Sequence, residues 1–300
     1  MTGKSANLTS PYEHVVVLML ENRSFDNLLG YLYEDGVPAG KTFEGLQNGN
    51  FYNPIPERIK NPQHQTISPH QASDYHQPFP DPGEEYQHIN TQLFDNLDPQ
   101  NIGVAAIEMK PPYNLPNEVP DTAPMTGFVN DYINTLQGMG DKTFDNPDYD
   151  QYSVIMQCFK PEQIPVLSTL AKEFSVFDHW FCSVPSQTWC NRAFWHAGTS
   201  AGFVINPAGE ETICEDVVDM AKWIDEMWEK STLFTLMENK GISSKVYTDN
   251  IISLTHLING FDDCSIAHSM ESFYEDINGE LPQYSFIEPK FLGQHNRHLS

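Results

Sequence analysis

The sequence predicts an α/β fold with a parallel sheet, from two strand-to-helix patterns and from the rhythm of its last third. Residues 15–20 form an apolar run that is half valine, which is typical of a strand buried in a parallel sheet. Residues 22–32 then carry apolar side chains at helical spacing, and a second such pattern lies at 176–196. Further strands are predicted at 245–248 and 284–287, with helical segments before them. At 300 residues, 39% of them hydrophobic, the chain can bury one sizeable core.

Two polar residues, Glu21 and Asn22, directly follow the first apolar run. Ligand sites in open α/β sheets lie at the carboxyl ends of the strands, so both side chains stand where chemistry is expected. A carboxylate beside an amide oxygen also offers two ligands to a hard cation. The alternative is that Glu21 or Asn22 only caps the following helix.

The second pattern places a hydroxyl at a helix start. A helix predicted at 161–173 precedes a strand at 176–181, a turn-like connection follows, and residues 191–196 are predicted as helix. Thr188 then lies beside backbone N–H groups that favour an anion. A hydroxyl there attacks phosphorus if a metal or a base lowers its pKa, whereas most Thr residues at such turns are caps. Cys190 is a rival nucleophile, although buried structural thiols are commoner.

The charge balance restricts the partners. The chain has 41 acidic and 16 basic residues, a net charge of −25, which argues against nucleic acids and anionic membrane surfaces. The same charge repels a phosphate at long range, so a phosphate site must be locally positive. No apolar run approaches the roughly 18 residues of a transmembrane segment, and residues 15–20 are too short for a signal peptide. The cytoplasm, or export through a signal outside this chain, is therefore expected.

Long loop segments separate these patterns. Residues 36–88 and 95–124 are rich in Pro, Asn and Gly and are predicted as excursions from the sheet. Four histidines lie in or just after the first of them, but their spacing matches no metal-ligand motif. They are His64, His70, His76 and His88.

Seven short segments then point to one family. They are ENRSFD at 21–26, DPGEEY at 81–86, NTQLF at 90–94, MTGFV at 125–129, CSVPSQT at 182–188, HAGTS at 196–200 and YSFIEP at 284–289. Through them the chain resembles the bacterial phosphoesterase family of phospholipases C and respiratory-burst-inhibiting acid phosphatases, relatives of the alkaline phosphatase superfamily. The resemblance spans nearly the whole chain. It implies one alkaline-phosphatase-like domain over 1–300, a three-layer αβα sheet with long loop insertions.

The resemblance also implies roles for individual residues. Glu21, Asn22 and Thr188 would hold a divalent metal of unknown identity, and Thr188 would be the nucleophile that accepts the phosphoryl group. Asn191 and Arg192 would help to form the phosphate site, where the planar fork of an arginine suits phosphate oxygens. From the residues alone, Arg192 is as readily a surface or capping side chain. His196 and Glu288 are candidates for structural support of the site.

Glu84 departs from the family pattern. Many relatives have a histidine after Asp-Pro-Gly, where this chain has Glu84. If that histidine protonates the leaving oxygen, Glu84 would need a raised pKa to do so. Alternatively, its carboxylate joins the metal shell, and both roles stay open.

The chain also ends before two segments that family members have. In them a His-Pro segment and then an Asp-, Glu- and His-rich segment supply further metal ligands, whereas this chain stops at residues 294–300. A metal site takes about four to six ligands, and the three implied ones are about half of them. The resemblance therefore implies a domain that is incomplete at its C-terminus.

The function predicted on these grounds is metal-dependent hydrolysis of phosphate esters, of the phospholipase C or acid phosphatase type, through a threonine nucleophile. A phospholipid head group and a phosphomonoester are both open as substrates. The alternative is a truncated, inactive fragment of such an enzyme that binds metal or phosphate weakly. A lectin-like module ranks last, because it gives Thr188 no reason to stand next to Asn191 and Arg192. The oligomeric state is not predicted.

Overall fold

The computed structural model describes residues 12–206, 213–250, 253–259 and 267–290, with only the backbone described over 213–219. The chain divides into two compact units. The sheet unit comprises Met1–Glu21 and Thr188–Ser300, and the loop unit comprises Asn22–Gln187. That residues 1–300 form one domain stays a prediction, and residues 294–300, where the incomplete C-terminus is expected, lie outside the described ranges.

The elements of the described residues are short. The strands are β1 (Val15–Leu18), β2 (Asn53–Pro54), β3 (Thr66–Ile67), β4 (His70–Gln71), β5 (Gln157–Cys158), β6 (Ser244–Tyr247), β7 (Ala267–His268) and β8 (Tyr284–Ile287). The α-helices are α1 (Phe25–Leu29), α2 (Tyr86–Phe94), α3 (Phe128–Gly138), α4 (Tyr149–Ser153), α5 (Pro165–Glu173), α6 (Thr188–Ala197), α7 (Ile213–Trp228), α8 (Leu233–Glu238), α9 (Leu254–Asn259) and α10 (Met270–Asp276). Within the described ranges, every helix is too short or too polar to cross a lipid bilayer.

The sheet unit is built on a parallel sheet with the strand order β1-β8-β6-β7. Leu18 of β1 pairs with Ile287 of β8, which pairs with Tyr247 of β6, so these three strands end at one edge. Residues just after β1 and β8 therefore share the carboxyl edge, where ligand sites of parallel sheets lie. The α/β class is confirmed. The strand predicted at 284–287 is also confirmed, and the strand predicted at 245–248 is confirmed with bounds that differ by one residue. The alkaline-phosphatase-like three-layer arrangement stays a prediction.

Helices cover the inner strands on both faces. One face buries a cluster that includes residues of α8, namely Phe234, Met237, Val246, Tyr284 and Phe286. On the other face, the Tyr247 ring lies 5.0 Å from that of Phe273 of α10, and its hydroxyl donates to Asp276 (2.7 Å). This double cover buries all four residues of β8 and the last two residues of β6.

The first strand is less buried than the sequence predicts. Strand β1 ends at Leu18, and its side chains at Val15, Val16 and Leu18 are exposed, while Val17 packs on the cluster below the sheet. The physical reason is its place in the sheet, because β1 has one strand neighbour, β8, in the described residues. An apolar run alone does not distinguish an edge strand from a central one.

The strand predicted at 176–181 is wrong. These described residues form no strand, and Phe177, Trp180 and Phe181 are exposed. The helix before them, α5, begins at Pro165 rather than at residue 161, since a proline fits the first turn of a helix. The next helix, α6, begins at Thr188 itself rather than at residue 191. Local pattern carries no information about a strand's partner, which explains the error at 176–181.

The loop unit has its own cores. Helix α3 buries Val129, Tyr132, Ile133 and Leu136 against the antiparallel pair β2–β3 and helix α4. A second cluster joins α1 and α5 through Leu29 and Ala171. The predicted excursion at 36–88 is mostly irregular but contains β2, β3 and β4, each two residues long.

Candidate active site

One face of helix α6 carries three of the predicted residues. Thr188 is the first residue of α6, and Arg192 and His196 follow at intervals of four. That spacing places the three side chains above one another along the helix. Thr188 therefore lies at the helix N-terminus, where free backbone N–H groups favour an anion, as the sequence predicts.

The carboxylate of Glu21 meets this face. Glu21 lies three residues after β1, at the carboxyl edge of the sheet. Its carboxylate is hydrogen-bonded by the Thr188 side chain and accepts a bond from Nε of Arg192 (3.1 Å). Two of the predicted metal ligands and one predicted phosphate ligand are thus brought together within the sheet unit.

The environment of Glu21 favours its neutral form more than water does. Burial raises the pKa of its carboxyl, and the negative charge of Glu288 adds to that effect. The charge and hydrogen bond of Arg192 and the bond from Thr188 oppose it, but the pKa stays above its ordinary value. A cation at this carboxylate would replace the lost hydration, so the site suits a positive ligand.

Arg192 is buried rather than presented to solvent. Its side chain is 2% exposed, and Nη2 donates to the backbone oxygen of Met19 (3.2 Å), next to the bond from Nε to Glu21. The guanidinium therefore ties α6 to the end of β1 and fixes the orientation of the Glu21 carboxylate. The surface alternative for Arg192 is wrong.

The other predicted site residues occupy different positions. Asn191 lies half-buried on α6, one residue from Arg192. Asn22 is the exposed first residue of the loop unit, with a left-handed backbone (φ 70°) that asparagine tolerates well. The cap of α1 is Ser24, whose side chain accepts from the Asn27 N–H (3.1 Å), so capping by Glu21 or Asn22 is wrong. Glu84 is half-buried in the loop unit, where its N–H donates to Glu85 (3.2 Å).

A buried network stands behind α6. His196 Nε2 lies 3.4 Å from the hydroxyl of Thr255, and that hydroxyl lies 3.4 Å from Oε1 of Glu288. The Thr255 N–H also donates to Oε1 (3.0 Å). Burial, helped by the charge of Arg192, lowers the pKa of His196 to about 3, so its imidazole is neutral at physiological pH. Thr255 was not found from the sequence, because a single threonine without a motif carries no signal.

Several other side chains of reactive types are unsuited to this chemistry, because they are buried or paired with a carboxylate. Cys190 is fully buried, and burial raises the pKa of its thiol to about 11, which makes it a poor nucleophile. His88 is buried and pairs with Asp131 (2.8 Å), and His76 pairs with Asp74 (3.2 Å). In the described part of the chain, no three His, Cys, Asp or Glu residues are grouped to hold a metal.

The donors at Glu21 nonetheless fit a hard cation in type. Glu21 and Thr188 supply a carboxylate and a hydroxyl, and the next residue, Asn22, has an amide oxygen. Within the described residues, Oε2 of the buried Glu288 has no hydrogen-bond partner. The chemistry therefore suits Mg²⁺, Mn²⁺ or Ca²⁺ better than a thiolate-bound metal, although these donors number fewer than a full shell.

Comparison with known proteins finds phospholipases C among the relatives of this chain. The chain is 28% identical to non-specific phospholipase C6 of Arabidopsis thaliana over 294 residues, which cover 94% of this chain and 44% of that protein. It is 27% identical to phospholipase C1 (96% and 45%) and 28% identical to phospholipase C3 (97% and 47%) of the same plant. The chain thus spans about half the length of these curated relatives. The model of the phosphoesterase family matches residues 12–300, and the chain belongs to that family.

Proposed function

We propose that this chain is a phosphoric ester hydrolase that uses Thr188 as its nucleophile and acts on phosphate esters of the phospholipid head-group type. The hydrogen bond between Thr188 and Glu21 carries the proposal, because it places a hydroxyl at a helix N-terminus against a carboxylate at the sheet edge. The phosphoesterase family and relatives named phospholipase C support the reaction class. An alkaline-phosphatase-like architecture is part of this proposal.

The residues have distinct tasks in this reaction. Glu21 holds the Thr188 hydroxyl in place, and Arg192 holds Glu21. The Thr188 hydroxyl releases its proton to solvent as its oxygen attacks phosphorus, and the bond from phosphorus to the leaving oxygen breaks. Water later attacks phosphorus and cleaves the phosphothreonine, which releases the phosphate product and restores the protonated hydroxyl. Backbone N–H groups at the start of α6, with Asn191, stabilise the charge on the phosphoryl oxygens. Glu84 either protonates the leaving oxygen or binds the metal.

A divalent metal would be held by Glu21, Asn22 and Thr188. When bound, such an ion lowers the pKa of a coordinated hydroxyl and neutralises charge on the transferring phosphoryl group. The hydroxyl and the carboxylate that it requires are already joined by a hydrogen bond, so little rearrangement is needed to present both oxygens to it.

One observation favours the alternative, a chain that binds metal or phosphate weakly and does not turn over substrate. Within the described ranges, no group of three His, Cys, Asp or Glu residues is placed to hold a metal. Under this alternative, Glu21 and Thr188 bind a cation only weakly, and turnover of a phosphate ester falls below detection. The two functions differ in one measurable respect, which is hydrolysis by the purified chain.

The test is hydrolysis of a chromogenic phosphate monoester and of a phosphorylcholine ester, with Mg²⁺, Mn²⁺, Ca²⁺ or Zn²⁺ in turn. We expect Thr188→Ala to lower kcat by about 10³-fold or more, since it removes the attacking oxygen. The exposed Thr169 of α5 gives a matched control, and Thr169→Ala should leave kcat unchanged. Full activity in Thr188→Ala would refute the nucleophile. No turnover by the folded wild-type chain with any metal would favour the inactive alternative.

A further inference from the structure

Glu288 is a buried carboxylate that the proposed reaction does not yet use. It is 2% exposed and directly follows β8, and its N–H donates to the backbone oxygen of Tyr247 (2.9 Å). That bond continues the pairing of β8 with β6 and fixes the backbone from which the side chain leaves. Oε1 is held by the N–H of Thr255 (3.0 Å).

The network behind α6 orders this carboxylate further. An ionised carboxylate only accepts hydrogen bonds, so the Thr255 hydroxyl donates to Oε1 of Glu288. The same hydroxyl oxygen can then accept from Nε2 of His196, whose ring packs between Phe286 (4.9 Å) and Phe234 (5.7 Å). Oε1 is thus held by two donors of one residue, the N–H and the hydroxyl of Thr255.

The second oxygen of Glu288, Oε2, differs from Oε1 in its surroundings. Oε2 is buried and has no hydrogen bond within the described residues. An unpaired buried carboxylate oxygen is unfavourable, so a residue that only stabilised the fold would not be expected to keep it there. A ligand that supplies positive charge or a hydrogen-bond donor accounts for it.

The position of Glu288 identifies that ligand. Glu288 follows Ile287, and Glu21 lies three residues after Leu18, the partner of Ile287 in the neighbouring strand. The two carboxylates are close enough for the charge of Glu288 to act on Glu21. Counted with the guanidinium of Arg192, two carboxylates leave one negative charge in a mostly buried cluster. A cation at Glu21 would offset this negative charge.

We propose that Glu288 is a positioning residue for the cation bound at Glu21, with Oε2 facing that cation and Oε1 anchored by Thr255. This inference rests on the proposed function, because it assumes that Glu21 is a metal ligand. It adds a second carboxylate to the site and makes Thr255 and His196 its supports.

The test measures metal binding directly rather than turnover. The purified chain is titrated calorimetrically with Mg²⁺, Mn²⁺, Ca²⁺ or Zn²⁺ alone. We expect Glu288→Gln, which keeps the shape and removes the charge, to raise the Kd about 10- to 100-fold, the usual effect of losing an outer partner of a metal site. Glu271→Gln removes an equal charge from an exposed position on α10 and should leave the Kd within about 2-fold. Thr255→Val should give a smaller increase, because the N–H bond to Oε1 remains.

The outcomes separate this inference from the function on which it rests. A wild-type chain that binds metal, together with a Glu288→Gln Kd equal to that of Glu271→Gln, would overturn the role of Glu288 alone. Metal binding that depends on Glu288, with full turnover in Thr188→Ala, would overturn the nucleophile alone. No binding by the wild-type chain would overturn the cation site and the inference together. If Glu288→Gln does not fold, Glu288→Asp serves instead, because its shorter side chain keeps the charge but moves the carboxylate away from the cation. An unchanged Kd in Glu288→Asp also contradicts the proposal.

Discussion

Burial gives Arg192 a different role from the one that its residue type suggests. The sequence suggests a phosphate ligand or a surface side chain, yet the guanidinium is buried and bonded to Glu21 and to the Met19 oxygen. A buried guanidinium needs several acceptors, because it presents five N–H donors and loses its hydration. Here the acceptors come from the end of β1, so Arg192 orders the carboxylate that a metal would use. A direct contact with phosphate stays a prediction.

His88 leads to a prediction about pH. The imidazole is buried, which alone would lower its pKa, but the charge and hydrogen bond of Asp131 and the charge of Glu85 raise the pKa above its ordinary 6.5. The folded state therefore binds the proton more tightly than the unfolded state. This stabilisation is fully present below pH 6.5 and is lost as the pH rises through the folded-state pKa.

We expect the free energy of unfolding to contain a part that depends on Asp131 and that falls as the pH rises above 6.5 and through the folded-state pKa of His88. Asp131→Asn removes the charge that sustains the protonated imidazole, so this part of the slope should disappear. Urea unfolding at several pH values measures it, and the slope rather than the absolute stability is compared. His76→Asn, at an exposed histidine, is the control. An equal slope in wild type and Asp131→Asn would refute the assignment.

At the scale of elements, the sequence predicts strands well where the local pattern and the sheet agree. The runs at 245–248 and 284–287 became β6 and β8 because helices cover both faces of these inner strands. The run at 176–181 has a similar pattern but no strand partner in the described residues. Pairing joins residues far apart in the chain, so periodicity cannot supply it.

The same limit applies to the candidate site. The ENRSFD segment at 21–26 and the CSVPSQT segment at 182–188 point to Glu21 and Thr188 as candidates, and Thr188 begins α6 itself, three residues before the predicted helix start. Thr255 lies on α9, far from both in sequence, and its contact with Glu288 arises only from the fold. Motifs thus point to candidate groups, whereas the residues that orient these groups are found only from the structure.

The position of β1 at the edge of the described sheet gives a prediction about stability. Val16 of β1 is 45% exposed, whereas Val246 of β6 is 1% exposed in the cluster with Phe286. The substitution Val→Ala removes the same atoms at both sites. We expect Val246→Ala to lower the free energy of unfolding by about 2–3 kcal/mol, and Val16→Ala by less than about 1 kcal/mol. Urea unfolding with equal m-values measures both, and equal losses would mean that β1 is covered in solution.

At the scale of the whole molecule, the net charge of −25 acts on any charged substrate. A phosphate monoester dianion is repelled before it reaches the site, whereas a zwitterionic phosphorylcholine ester carries little net charge. Within the site, Arg192 is bonded to Glu21, so its positive charge is already balanced there. Long-range repulsion should therefore limit the approach of the monoester more than that of the zwitterion.

Raising the ionic strength from about 0.02 M to 0.2 M shortens the screening length from roughly 20 Å to 7 Å, which weakens this repulsion. We expect kcat/KM for the phosphate monoester to rise about 3-fold over this range, and kcat/KM for the phosphorylcholine ester to change by less than about 1.5-fold. Steady-state kinetics in NaCl at saturating metal measure both, because salt also weakens cation binding. Sucrose at matched viscosity is the control for non-ionic effects. A fall in kcat/KM for the monoester would show that positive charge at the site, rather than the net charge of the chain, governs how the substrate approaches.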